Sequence, residues 1–263
     1  MPYPARIVCL TEETTEALYR MGEQDRIVGI SGFTVRPPWA RKEKPKVSAF
    51  TSAKIDKILA LKPDLVLGFS DLQAGIAADL VRLGIEVHLF NQRSVSEILR
   101  MINVLAGMIG EPEKGDRLVA DLLENIENIT LKTRKLENKP KVFFEEWDEP
   151  LISGIRWVSE LIEIAGGEDC FPELASESLA KNRILADPSS GIERQPDIII
   201  GSWCGKKFQP ARVAARPGWE AIPAVQTGSL YEVKSPIILQ PGPAALLDGV
   251  NKISDIIGQW NRR

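Results

Sequence analysis

The sequence predicts an α/β protein with two similar lobes, each built on a parallel sheet, joined by one long helix. Three observations carry this prediction. Short apolar strands alternate with amphipathic helices in both halves of the chain, one long amphipathic segment lies near mid-chain, and a six-residue strand motif occurs twice. Alternation of strands with helices indicates parallel sheets, because the crossover between two parallel strands is usually a helix.

The elements of the first half follow from apolar runs and the breakers that separate them. Strands are predicted at 7–10, 27–30, 65–68 and 87–90, and helices at 14–21, 56–61, 72–83 and 95–108. Residues 31–48 are predicted to form a loop, because Pro37, Pro38 and Pro45 interrupt them.

The long helix is predicted at 113–137. Its apolar residues fall on one helical face: Leu118, Leu122, Ile126 and Ile129, widened by Val119 and Leu123. Pro112 suits the first turn, where a missing N–H costs nothing. The predicted domains are therefore an N-terminal lobe at 1–110, the linking helix at 111–138 and a C-terminal lobe at 139–263.

The second half repeats the pattern of the first. Strands are predicted at 141–144, 198–201 and 230–233, and helices at 158–165 and 244–260. The motif Pro-Asp-Leu-Val-Leu-Gly at 63–68 returns as Pro-Asp-Ile-Ile-Ile-Gly at 196–201. The opening strands of the two halves have nearly the same separation as the two motifs, which favours two similar lobes over a chance match.

The composition is that of a soluble globular protein without a nucleic-acid surface. The 263 residues are 44% hydrophobic and 26% charged, with a net charge of −3. The first ten residues lack the pattern of a secretory signal, which predicts a cytoplasmic protein; a periplasmic or cell-surface location is the alternative if a signal has been cleaved. Three widely spaced cysteines predict no disulfide framework, with Cys9 in the core. A monomer is expected.

The candidate ligand-binding residues are those that follow the predicted strands, because ligands of open parallel sheets bind beyond the carboxyl ends of the strands. They are Thr11, Glu12, Phe33, Phe69, Ser70, Asp71, Asn91, Gln92, Glu145, Trp147, Trp157, Ser202, Trp203 and Cys204. The set is rich in aromatic and hydrogen-bonding groups, which suits a large, partly apolar ligand. Core packing is the alternative for each tryptophan. No catalytic residue and no required cofactor are predicted.

Enzyme motifs are missing from the sequence: it has no GxGxxG, no P-loop and no Gly-x-Ser-x-Gly elbow. The acidic run at 145–149 could supply a carboxylate pair or a hard-metal site, but a solvated strand end or ligand-facing acceptors are favoured. His88 is the only histidine, which excludes multi-histidine zinc sites. A packed histidine is favoured over an axial ligand to the metal of a macrocycle.

Several segments carry a family resemblance that covers nearly the whole chain. They lie at 7–16, 28–38, 55–66, 150–154, 164–169, 216–219 and 222–225. These segments resemble the helical-backbone (class III) substrate-binding proteins of ABC importers, and most of all the cobalamin-binding branch. The resemblance implies two Rossmann-like lobes bridged by one long helix, with little movement on binding. It also implies ligand-facing positions at Phe33, Phe69, Leu89 or Phe90, Trp147 and Trp203.

The function expected from this resemblance is binding of cobalamin or a related corrinoid in the cleft between the lobes. The protein would serve an ABC-type uptake system or be a cytoplasmic corrinoid-binding relative. The alternatives are another metal chelate, such as a ferric siderophore or haem, or an α/β enzyme that uses the run at 145–149.

Two departures from the family bear on a permease partner. The family docks through one exposed glutamate on each lobe. The matching positions read Gln73-Ala74-Gly75 in the first lobe, and the second presents Lys206, Lys207 and Arg212. A basic surface there is expected to repel a basic permease surface.

Overall fold

The computed structural model describes residues 2–263, which fall into two compact units. Unit 1 comprises the residues up to 92 together with 96–122, and unit 2 comprises 93–95 and 123–263. The three-part division predicted from the sequence stays a prediction.

Unit 1 is built on a five-stranded sheet in the order β3-β2-β1-β4-β5, in which every pair is parallel. The strands are β1 (Ile7–Cys9), β2 (Ile27–Ser31), β3 (Lys46–Ser48), β4 (Leu65–Phe69) and β5 (Val87–Phe90). The helices that follow them are α1 (Glu12–Arg20), α2 (Ala40–Glu43), α3 (Ile55–Ala60), α4 (Ala74–Arg82) and α5 (Val95–Met108). Because all strands are parallel, their carboxyl ends share one edge of the sheet.

The prediction of an irregular loop at 31–48 is wrong. This segment contains α2 and β3, and β3 extends the sheet beside β2. The Gly32 N–H donates to the Ser48 carbonyl at 2.7 Å, and Val47 is buried in the core. The three prolines fall outside both elements, so they separate short regular pieces rather than preventing them.

Unit 2 is built on a second sheet in the order β10-β9-β6-β7. Its strands are β6 (Lys141–Asp148), β7 (Leu151–Ser153), β8 (Glu168–Asp169), β9 (Ile198–Gly201) and β10 (Leu230–Glu232). The pairs that β6 forms with β8 and β9 are parallel, whereas β7 folds back antiparallel on the end of β6. The hairpin explains why β6 is longer than the predicted 141–144, because its second half pairs with β7.

The helices of unit 2 are mostly short. They are α7 (Arg156–Ile164), α8 (Pro172–Ala175), α9 (Ser189–Glu193), α10 (Pro210–Ala214), α11 (Pro223–Gln226), α12 (Ser235–Ile238) and α13 (Val250–Trp260), numbered after the long helix α6 (Pro112–Thr133). The closing helix predicted at 244–260 is divided, since a π-helical turn at Ala245–Gly249 precedes α13. The one-turn helices escaped prediction because they are too short to show periodicity.

The repeated Pro-Asp motif occupies equivalent places in the two sheets. In unit 1, Asp64 accepts the Arg6 N–H on its carboxylate at 2.9 Å and donates its own N–H to the Arg6 carbonyl. In unit 2, Asp197 forms the same pair of bonds with Lys141. Each aspartate therefore sets the register of its strand against the opening strand of its unit.

The long helix α6 begins in unit 1 and ends in unit 2. It stops at Thr133, short of the predicted 137, and a turn closes it where the Leu136 N–H bonds to the Thr133 carbonyl. Leu118, Leu122 and Ile129 are buried, but Leu123 is 47% exposed and does not widen the apolar stripe as predicted. Across residues 2–263, no helix combines the length and apolar character that a bilayer span requires.

The adjacent leucines of α6 provide a matched test of its buried face. We expect Leu122→Ala to lower the free energy of unfolding by about 2–5 kcal/mol, because Leu122 is fully buried. Leu123→Ala should change it by less than about 0.5 kcal/mol. Urea unfolding of both variants measures the difference, and equal losses would contradict the assigned face.

Candidate functional site

The first candidate residues of unit 1 are buried and engaged internally. The Thr11 carbonyl accepts hydrogen bonds from the hydroxyls of Thr14 and Thr15 at the start of α1. The Glu12 carboxylate accepts a hydrogen bond from the Ser31 hydroxyl at 2.9 Å. Burial raises the pKa of Glu12 above its usual value, although the Ser31 hydrogen bond opposes this. Thr11 and Glu12 thus fix the end of β1 beside β2.

The loops after β2 and β4 carry exposed apolar side chains on the same edge of the sheet. Phe33 is 57% exposed and Leu72 is 49% exposed. Trp39, in the long connection after β2, is 55% exposed. Asp71 is exposed beside Leu72. Sequence reasoning selected Phe33 and Asp71 but missed Leu72 and Trp39, because apolar residues in a predicted helix or loop resemble ordinary packing residues.

The end of β4 is held rigidly. Phe69 is buried, and its N–H donates to the Gln73 side chain at 2.9 Å. The Gln73 amide also donates to the Phe50 carbonyl at 2.9 Å. Ser70, between them in sequence, has φ of 60° and ψ of 178°, a conformation that is essentially restricted to glycine. Its hydroxyl accepts the Leu72 N–H at 3.3 Å.

The strain at Ser70 predicts an inverted order of stability. In most positions glycine is less stable than alanine, because it loses more backbone entropy on folding. At position 70 we expect Ser70→Gly to be more stable than Ser70→Ala by about 1 kcal/mol, since only glycine relieves the strain. Both variants lack the hydroxyl, so the difference in their free energies of unfolding, measured by heat or urea, reports the backbone strain. A Ser70→Ala variant at least as stable as Ser70→Gly would refute the strain.

Asn91 and Gln92, after β5, line a cavity of about 240 Å³ in unit 1. The remaining lining comes from β5 and α5 and includes His88 and Arg100. The His88 ring makes an edge contact with Phe90 at 4.3 Å between centroids, and burial lowers the pKa of the imidazole. Among residues 2–263, no group of three or more His, Cys, Asp or Glu side chains is placed to hold a metal ion.

The acidic run of unit 2 is a row of ion pairs, not the solvated strand end that the sequence favoured. Each carboxylate has a cationic partner: Glu145 with Arg216, Glu146 with Arg183, Asp148 with Lys206 and Arg212, and Glu149 with Arg212. The pairs range from fully buried at Glu145 to exposed at Glu149. Carboxylates committed in this way are poor candidates for general acid–base catalysis or for a hard-metal site.

Glu145 is the centre of the most buried of these pairs. Both of its oxygens accept hydrogen bonds from the Arg216 guanidinium at 2.7 Å, and Oε1 also accepts the Trp203 indole N–H at 2.8 Å. The guanidinium stacks on the Trp219 ring at 4.4 Å from its centroid. Burial raises the pKa of Glu145, an effect that Arg216 and Trp203 partly offset. Sequence reasoning missed Arg216, because it lies far from Glu145 along the chain.

Removal of the guanidinium should expose the cost of burying Glu145. We expect Arg216→Leu to lower the free energy of unfolding by about 3–5 kcal/mol near neutral pH. The pKa of Glu145 should then rise further above its usual 4.5. A carboxyl with a raised folded-state pKa contributes stability at low pH and loses it as pH rises through that pKa. The deficit should therefore be larger at pH 8 than at pH 5.

The control for this prediction is the double variant Glu145→Gln/Arg216→Leu, which removes the unpaired charge. It should be more stable than Arg216→Leu at pH 8, and its deficit should not increase from pH 5 to pH 8, because it has no carboxyl at position 145 to ionise. A single-variant deficit that is flat between pH 5 and pH 8 would argue against the ion pair.

Trp147 and Trp203 are brought together by one lysine. The Lys206 ammonium lies 4.2 Å from the Trp147 ring centroid and 5.0 Å from that of Trp203, and it pairs with Asp148. Burial opposes ionisation of Asp148, but the Lys206 contact, a backbone hydrogen bond and the charge of Arg212 together outweigh it and lower the pKa of the carboxyl. Trp147 is half-buried, whereas Trp203 is 3% exposed and packs against Phe208.

The remaining candidates of unit 2 lie in different environments. Ser202 is buried, and its hydroxyl has no hydrogen-bond partner among residues 2–263. Cys204 is exposed. Trp157 lies in the first turn of α7, where it is buried and its indole N–H donates to the Ile238 carbonyl at 2.8 Å. The structure therefore places Ser202 beside Trp203 at the end of β9, whereas the indole of Trp157 is bound to the segment that follows β10.

The basic surface expected of the second lobe is largely neutralised. Lys206 and Arg212 both contact Asp148, and Arg212 also contacts Glu149 at 2.9 Å. Lys207 remains exposed. In unit 1, Gln73 is a buried structural residue rather than a surface group.

A family model described as periplasmic binding protein matches residues 7–237. The chain belongs to this family. A vitamin B12-binding protein of Vibrio cholerae serotype O1 is 26% identical over 260 residues, which covers 96% of this chain and 89% of the relative. The family and this relative are binding proteins, so the prediction of a binding protein and not an enzyme is confirmed.

Solved structures of other periplasmic binding proteins have the same fold. The periplasmic vitamin B12 binding protein BtuF of Vibrio cholerae has a TM-score of 0.76 and 23% identity, covering 99% of both chains. The periplasmic heme-binding protein RhuT from Roseiflexus has a TM-score of 0.81 and 23% identity, covering 96% of this chain and 98% of that chain. The predicted class of two parallel-sheet α/β lobes is confirmed.

Proposed function

We propose that this protein binds cobalamin or a related corrinoid as the substrate-binding protein of an ABC-type uptake system. The observation that carries the proposal is the match of nearly the whole chain to a relative named as a vitamin B12-binding protein. The ligand is cargo, and the protein needs no cofactor of its own. The candidate residues at the two sheet edges are proposed as the ligand-contacting set.

The edge of unit 1 suits the apolar part of a corrinoid. The side chains of Phe33 and Leu72 are about half exposed to solvent. Burial of this apolar surface against the ring system of a ligand would be favourable. Asp71 and Asn91 are exposed after the neighbouring strands β4 and β5, and both can bond to the amides at the periphery of a corrin. The rigid end of β4 would hold these groups in place before the ligand arrives, which lowers the entropy cost of binding.

The edge of unit 2 adds polar contacts and one aromatic surface. The buried Ser202 hydroxyl would gain a hydrogen bond from a ligand or an ordered water. The half-buried Trp147 has one ring face against Lys206, so it is a better candidate for ligand contact than the buried Trp203. We propose that Trp203 and Trp157 support the site through packing.

The family supports a periplasmic or cell-surface location over the cytoplasmic one predicted from the sequence. A permease partner follows from this proposal. The pairing of Lys206 and Arg212 with acidic side chains weakens the expected repulsion from a basic permease surface.

The second candidate ligand is haem or another metal chelate. The observation that favours it is His88, whose lowered pKa keeps the imidazole neutral near pH 7 beside a cavity of unit 1. A neutral imidazole is the form that coordinates iron. Haem binding through His88 would be lost in His88→Ala, whereas corrinoid binding as proposed would persist.

The direct test is a titration of tryptophan fluorescence with cyanocobalamin, cobinamide and haemin. The proposal predicts saturable quenching by at least one of the two corrinoids at micromolar or lower concentration. Saturable quenching by haemin alone would replace the corrinoid with haem. No quenching by any of the three, together with no heat in calorimetry, would refute the proposal.

Phe33 offers a single-residue test of the unit 1 edge. We expect Phe33→Ala to weaken cyanocobalamin binding by about 1–3 kcal/mol, the usual cost of truncating a desolvated aromatic contact. Val81→Ala is the matched control, because Val81 is 58% exposed on α4 and is not part of the candidate set. Calorimetric affinities that are the same for both variants would remove Phe33 from the site.

A further inference from the structure

A cavity in unit 2 lies at the carboxyl ends of β9 and β10. Its volume is about 480 Å³. It is lined by Trp203, Gly205, Lys206, Lys207, Glu232, Lys234, Ser235 and Pro236. Ligands of parallel sheets bind beyond this end of the strands, so the cavity is in the expected place for part of the ligand. We call it the lysine cavity.

The lysine cavity has an excess of positive charge. Lys206 is neutralised by Asp148 and is held against two indole rings. Lys207 and Lys234 are exposed, and neither forms an ion pair with any of residues 2–263. The one acid of the lining, Glu232, accepts the Phe208 N–H at 3.1 Å. Two unpaired ammonium groups therefore share the cavity with a single carboxylate.

We propose that the lysine cavity receives an anionic oxygen group of the ligand, so that Lys207 and Lys234 select corrinoids that carry one. This inference rests on the proposed function and deepens it. A corrinoid has two sources of such a group: the phosphodiester of its nucleotide, and a peripheral side chain that ends in a carboxylate in place of an amide. Either would pair with the two ammonium groups, and their attraction would decrease as salt increases.

Three ligands of graded charge distinguish the sources in a calorimetric titration. Cobinamide lacks both groups, cyanocobalamin has the phosphodiester, and a monocarboxylic acid made by partial amide hydrolysis of cyanocobalamin has both. We expect an anionic ligand to bind roughly 3- to 25-fold more tightly than the form without that group, since each exposed ion pair contributes up to about fivefold. Because cobinamide also lacks the rest of the nucleotide, a gain in affinity from cobinamide to cyanocobalamin assigns the phosphodiester only if the Lys207/Lys234 variant loses it. A gain at the monocarboxylic acid assigns the carboxylate.

The variant Lys207→Gln/Lys234→Gln should abolish this step in affinity between the ligands with and without the anionic group. Its affinity for cobinamide should be unchanged. The control Lys181→Gln/Lys252→Gln removes two exposed lysines elsewhere in unit 2 and should keep the step. Equal affinities for all three ligands, or a step that survives the Lys207/Lys234 variant, would overturn the inference while the proposed function stands. Failure of every corrinoid to bind would overturn the proposed function and this inference with it.

Discussion

The buried ion pair of Glu145 and Arg216 is the interaction on which the carboxyl edge of the unit 2 sheet depends. It joins the end of β6 to a segment 71 residues away and fixes the Trp203 indole in the same contact. A carboxylate at this depth is costly unless it is fully paired, and here two guanidinium bonds and one indole bond satisfy it. The acids that follow along β6 continue the pattern, each with its own cation, so the edge is ordered by charge as well as by packing.

The end of β4 plays the corresponding part in unit 1, through backbone geometry in place of charge. Ser70 is held in a conformation that costs about 1–3 kcal/mol, and the Gln73 side chain ties the preceding Phe69 N–H to the Phe50 carbonyl of another loop. The buried charge at Glu145 and the strained backbone at Ser70 both cost folding free energy, and both order the carboxyl edge of a sheet. Order of this kind before binding lowers the entropy cost of binding a ligand.

The elements and site residues that could be predicted from the sequence are those whose signal lies within a few neighbouring residues. Apolar strands such as β4 and β9, and the Pro-Asp motif that precedes each, were evident because their signal lies within a few residues. The hairpin partner β7, the edge strand β3 and the one-turn helices were missed, because such elements are defined by their neighbours in space. The same limit applied to the site. Glu145 was found from its place after a predicted strand, but its pairing with Arg216 and the pairing of Asp148 with Lys206 were not, since pairing over long sequence separations leaves no local signal.

We propose above that ligand-contacting residues lie at the carboxyl edge of each sheet. Amide hydrogen exchange with and without saturating cyanocobalamin tests it most directly. We expect slower exchange in unit 1 at residues 31–34 and 69–73, and in unit 2 at residues 145–149 and 202–207, with little change in α4 or α13. Slowing confined to segments away from these edges, or to one unit alone, would contradict it.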